Sequence, residues 1–198
     1  EFMSDKLKKD REIVFTAVKQ CGFALKYADK IFKEDNEIVH EAIKTDGWAL
    51  QFVGNKFFRD PEFLFLAVKY HGYAFELLPK KYKKDKTFIE KCIKEHGYIL
   101  RFIDPKLRLS YLFLEKLVKI NGYCLKYIPN EFKDDVNLAL LAVKQNGLSI
   151  SFIESDLRKN KEIIIEAIKQ NRESYDFIDN SMKLDKDVSA AFMKYSMI

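Results

Sequence analysis

The stretch DNEIVHEAIKTDGWALQFV, residues 35–53, opens on a helix-capping residue, runs through apolar positions at helical spacing and breaks at a glycine. Asp35 can accept from orphan backbone N–H groups at a helix start, and Glu37 sits where the helix dipole favours an acid. Ile38, Val39, Ala42 and Ile43 form one stripe on a helix of about eleven residues. Asp46 is a polar type that tolerates a helix end, and Gly47 is expected to stop the helix in the left-handed conformation. After the glycine, Trp48, Leu50, Phe52 and Val53 alternate over too few residues to separate strand from short helix. A strand would have to pair with copies of itself in a parallel ladder, and β-branched residues are scarce there. The second element is therefore read as a helix of roughly two turns.

The same text recurs in both directions. Gly22, Gly47, Gly72, Gly97, Gly122 and Gly147 are spaced by 25 residues without an insertion, and Arg172 holds the seventh position. Asp10, Asp35, Asp60, Asp85, Ser110, Asp135, Asn160 and Asp185 are N-cap types in one register, with Pro61 at a first helical position. Phe32, Phe57, Tyr82, Leu107, Phe132, Leu157 and Met182 are expected to pin each connection to the core. No unit can bury its apolar face alone, so stacking is required. About five large side chains per unit contribute roughly 1.5–3 kcal/mol each before entropy is subtracted. The predicted fold is all-α, an α-solenoid of tandem 25-residue two-helix repeats, right-handed or gently twisted. Residues 1–9 read as a tag or leader segment, with Glu1-Phe2 before Met3 as a cloning remnant. Residues 10–198 read as a single helical-repeat domain of seven units plus a terminal helix. The eighth unit stops after its first helix without a polar cap, so a native protein continuing beyond Ile198 is expected.

The register D-x-E-[IV]-V-x-x-A-[VI]-K-x-x-G-x-A-L-x-[YF], over about residues 10 to 180, resembles the repeat family called domain of unknown function 4116. The resemblance implies tandem helical repeats with no settled activity, of a kind found in intracellular bacteria and protists, including candidate secreted effectors. Leu148, Arg172 and Glu173 depart from the pattern, so the sixth and seventh units are expected to pack differently.

Composition excludes several classes. Hydrophobic residues make up 47% of the 198, enough for a packed core, and a net charge of +5 is mild for a dedicated duplex-binding domain. Cys21, Cys92 and Cys124 form no CxxC pair, which points to a fold without disulfides and to a reducing compartment. Cys92 and Cys124 stand in small core slots and Cys21 at a helix end. His40, His71 and His96 are the only histidines. His71 and His96 share a register position one repeat apart, roughly 10 Å for packed helices, which does not converge on a metal. No Walker loop, GxSxG or HExxH occurs, and the glycine period is helix punctuation. The expectation is a protein that is not an enzyme, with no cofactor, no metal site, no small-molecule substrate and no membrane-spanning run.

Two features are left over once folding is accounted for. Lys19, Lys44, Lys69, Lys94, Lys119, Lys144, Lys169 and Lys194 occupy one slot, pointing away from the apolar stripe. A cation there can complement the helix end or pair with a neighbouring acid. It can also belong to a ladder for an extended anion, which Glu12, Glu37, Glu62 and Glu162 would blunt. Phe65, Leu66, Tyr70, Leu112, Ile120 and Leu141, together with Phe15, are apolar where the register is otherwise polar. Either curvature of the array buries them or they form a patch for a protein partner. The leading expectation is a scaffold for protein–protein interaction; the alternative is a basic platform binding nucleic acid or another polyanion.

Overall fold

A computed structural model describes residues 5–154 and 156–195. Glu1-Phe2, Met3 and Ile198 lie outside the described residues, and Asp5–Lys8 form one helical turn. Eight ten-residue α-helices recur: α1 (Arg11–Gln20), α2 (Asn36–Thr45), α3 (Pro61–Tyr70), α4 (Lys86–Glu95), α5 (Tyr111–Ile120), α6 (Val136–Gln145), α7 (Lys161–Gln170) and α8 (Lys186–Tyr195). The second element of each repeat is a 3₁₀ helix of six residues: η1 (Gly22–Tyr27), η2 (Gly47–Phe52), η3 (Gly72–Leu77), η4 (Gly97–Phe102), η5 (Gly122–Tyr127), η6 (Gly147–Phe152) and η7 (Arg172–Phe177). No strand occurs among the described residues, so the fold is all-α and built of tandem two-helix repeats.

The chain forms two compact units, Glu1–Glu95 and His96–Ile198, whose boundary falls inside the fourth repeat. In the first, α1, α2, α3 and α4 pack in sequence, η1 packs on η2 and η2 on η3, and α2 also covers η1. In the second, α5 through α8 stack the same way beside η4 through η7.

Local chemistry sets the boundaries. The carboxylates of Asp10 and Asp60 each accept from two backbone N–H groups in the first turn that follows, and those of Asp35, Asp85 and Asp135 accept from the third residue on. Ser110 departs from the expected pattern: its side chain makes no cap bond, and the N–H of Phe113 bonds to the Ser110 carbonyl instead. At the other end one residue serves two helices. The N–H of Asp46 donates to the Ala42 carbonyl and closes α2, while its side chain accepts from Trp48 N–H and opens η2. Asn121, Asn146 and Asn171 do the same for η5, η6 and η7.

The glycines do not act as expected. No described glycine has a positive φ, and the helix is ended by an extended residue before it, such as Cys21 at φ −152°. What demands glycine is close approach of the next repeat. A Cβ on Gly22 would stand 2.1 Å from the Ala42 carbonyl oxygen, and on Gly122 and Gly147 it would stand 2.5 Å from those of Ala142 and Ala167. Backbone cannot yield there as a flexible side chain can.

A cation in four of the connecting loops bonds back to the 3₁₀ helix before it. The ammoniums of Lys33, Lys83 and Lys133 and the guanidinium of Arg108 donate to the penultimate carbonyls of η1, η3, η5 and η4, those of Lys26, Glu76, Lys126 and Arg101. Phe32, Phe57 and Tyr82 are buried as expected, whereas Leu107, Phe132, Leu157 and Met182 are only partly covered.

Two consequences are measurable. Gly22→Ala should cost about 1–3 kcal/mol of stability in urea unfolding, because the clash is with backbone. Gly54→Ala, at φ −67° and opposed only by the side chain of exposed Glu34, should stay within about 0.5 kcal/mol. The N–H of Ile38 and the guanidinium of Arg11 hold Asp35 below the usual carboxylate range. A depressed carboxylate stabilises the fold above its unfolded pKa and loses that contribution as pH falls through the folded value. Asp35→Ala should therefore cost about 1 kcal/mol at neutral pH, and its gap to wild type should close as pH is lowered below about 4.

Candidate functional site

The six apolar residues that broke the register fall into different surroundings. Leu66 and Tyr70 come together on α3, where they line an open groove of about 440 Å³ whose other wall is Asn36, Glu37, His40, Glu41 and Lys44 of α2. Tyr70 is 43% exposed. Leu66 also borders a second depression, formed with His40, Phe63, Phe65 and Lys69. It is thus an apolar ridge between two hollows. Phe65 turns aside: the Lys91 ammonium sits 4.0 Å from its ring centroid and is itself bonded to the Glu62 carboxylate. Phe15 is screened likewise, by Lys19 at 4.4 Å.

Leu112, Ile120 and Leu141 belong to the second unit. Leu112 on α5 is 78% exposed, while Ile120 and Leu141 are half-buried. Leu141 holds in α6 the register slot that Leu66 holds in α3, and Leu112 the slot of Glu37.

The slot shared by Tyr70 and Ile120 has a folding role elsewhere that sequence reasoning missed. Gln145 accepts from the N–H of Gly122, and Gln170 from that of Gly147, so in these two repeats a side-chain amide ties the helix to the preceding glycine. Tyr70 and Ile120 give up that amide for an apolar surface. Beside Gly47, His71 Nε2 lies 3.1 Å from the Lys44 carbonyl.

The lysine slot is exposed in every repeat, as the helical wheel predicts. Several of its members are already occupied. Lys119 pairs with Glu115 and Lys169 with Glu166, each at 2.6 Å, and Lys44 lies 3.8 Å from Glu41. These are contacts within one helix between surface side chains, worth a few tenths of a kcal/mol. They lower the field any ladder could present.

The groups that could carry chemistry are dispersed. His40 Nδ1 is 2.7 Å from the Asn36 carbonyl, one turn back in its own helix. Among the described residues no three His, Cys, Asp or Glu side chains gather as a metal site, and no helix is long and apolar enough to cross a membrane. Cys92 and Cys124 are buried and Cys21 is exposed. Burial pushes the Cys92 thiol up to about 12, and it pushes Cys124 up as well. A thiolate-specific reagent at neutral pH should therefore label Cys21 rapidly, with Cys92 and Cys124 reacting only after denaturation; fast labelling of all three in the folded state would contradict the packing.

No curated protein matches the chain, and no solved structure does. A family model described as Domain of unknown function (DUF4116) matches six overlapping stretches, residues 1–33, 10–59, 35–81, 60–108, 112–158 and 135–183. The matches follow the register set by the caps and glycines, and the chain belongs to this family of tandem repeats, the domain of unknown function DUF4116.

Proposed function

We propose that the chain is a non-catalytic helical-repeat scaffold that binds a protein partner through the α2–α3 groove. The observation that carries this reading is Tyr70 beside Leu66. Both are apolar at positions the repeat does not need apolar, and Tyr70 occupies a slot where two other repeats place a glutamine that ties down a glycine. The groove is open rather than enclosed, which suits side chains of a macromolecule better than a small molecule. Its apolar floor with Glu37, Glu41 and Lys44 at the rim matches the usual anatomy of a protein interface, a desolvated centre within a polar border. Aromatic residues so placed are the ones that tend to dominate binding energy.

The alternative, a polyanion platform built on the Lys19-to-Lys194 ladder, has less support. Lys44, Lys119 and Lys169 are already paired with acids on their own helices.

The test compares two variants in one capture experiment. Leu66→Glu with Tyr70→Glu should abolish capture of a partner that wild type retains, with the circular dichroism spectrum unchanged. A Lys94→Ala, Lys119→Ala and Lys169→Ala variant, which leaves the groove lining intact, should keep that partner. Equal capture by the Glu variant would remove the groove as the binding site.

A further inference from the structure

The net charge of the chain is concentrated away from the lysine ladder. The segments 22–34, 47–59 and 72–84, which hold η1, η2, η3 and their loops, contain nine Lys and Arg against only Asp29, Glu34 and Glu76, a net of +6. The whole chain carries +5, so the remainder is slightly acidic. The equivalent segments 97–109, 122–134, 147–159 and 172–184 of the second unit together carry a net of +1. The same backbone is thus built there without the excess, and folding does not require it.

Some of these cations have structural duties. Lys33 and Lys83 are spent on the penultimate carbonyls of η1 and η3. Lys26, Lys30, Lys56, Lys80, Lys81 and Lys84 are exposed. Among them the 3₁₀ helices present aromatic rings to solvent. Trp48 is 42% and Tyr73 49% exposed, at the same register position in consecutive repeats. Phe23 holds that position in the first repeat and meets Phe52 edge-to-face at 4.9 Å, while Lys26 lies 5.5 Å from Phe23 and 5.3 Å from Tyr27.

We infer that this surface of the first unit binds single-stranded nucleic acid. Exposed rings repeated at a fixed register amid a net excess of exposed cations are the two elements of a sequence-tolerant strand platform: π-faces for the bases and cations along the phosphates. A duplex keeps its bases stacked inside and offers the rings nothing, so unpaired strands are the matching class. RNA and DNA share this chemistry. The surface shares no residue with the α2–α3 groove, and the inference does not rest on that groove.

Trp48 is the sole tryptophan, so its fluorescence reports on the proposed contact directly. The full chain is titrated at low salt with oligouridine, oligothymidine, a DNA duplex and phosphatidylserine vesicles. Either or both single strands should quench Trp48 and bind more tightly than the duplex, with affinity falling steeply as salt rises. Anisotropy of a labelled strand should show Trp48→Ala and Tyr73→Ala each weakening binding about fivefold or more. Lys80→Glu with Lys81→Glu should weaken it and flatten the salt dependence, while Lys44→Ala with Lys69→Ala leaves it unchanged. No quenching by either strand, equal affinity for the duplex, binding to vesicles alone, or indifference to the two aromatic variants would each overturn the proposal. The wild-type quenching measurement stands whether or not any variant folds.

Discussion

At three junctions one repeat lies against the next through a backbone-to-backbone approach too close for a methyl group. The Cα of Gly22 faces the carbonyl of Ala42, and Gly122 and Gly147 face those of Ala142 and Ala167. That carbonyl also closes its own helix, by accepting from the extended residue that follows. A single contact therefore fixes where a helix ends and how near the neighbouring 3₁₀ helix comes. The apolar stripes could tolerate small slips between repeats, as cores of similar volume do. The glycine contact cannot, and so it sets the register that the stripes then fill.

This division explains what could be read from the chain. The α-helices were legible because caps, dipole-compatible acids and an apolar stripe agree at every level, and Asp10, Asp60 and Asn160 cap as their side chains demand. The glycines were legible in position and not in cause. A glycine at a helix end is most often there for its φ, and only the three-dimensional neighbour shows that here the missing Cβ matters. The short second element was recognisable as helical, whereas its 3₁₀ geometry has no separate sequence signal, since it forms both where the residue before it caps with its side chain, as at Asp46, and where it does not, as at Cys21. The cations at Lys33, Lys83, Arg108 and Lys133 passed unnoticed for a related reason, since lysine in a loop is too common to attract attention. Of the six apolar positions, Leu66 and Tyr70 share a groove. Phe65 does not join them, because Lys91, one repeat on, covers its ring.

The two kinds of lysine show how little sequence position alone says about charge. The regular column on the α-helices is the more visible pattern, yet Glu41, Glu115 and Glu166 answer it locally. The excess around η1, η2 and η3 is irregular in sequence and has few acids among it. Regularity marks what the repeat needs for folding. Deviation from it, in the lysines of the loops as in Tyr70, marks what one particular array adds to the common scaffold.

Asp46, Asn121, Asn146 and Asn171 each close one helix and open the next within a single residue. There is accordingly no spare chain at that junction to absorb an added or deleted residue. A change of one residue there would shift the 3₁₀ helix and its glycine relative to the α-helix they follow, whereas a change of 25 adds or removes a whole repeat. An array of this kind can lengthen or shorten only by whole units, so its natural diversity should lie in unit number and in side chains on a fixed lattice, not in loops of varying length.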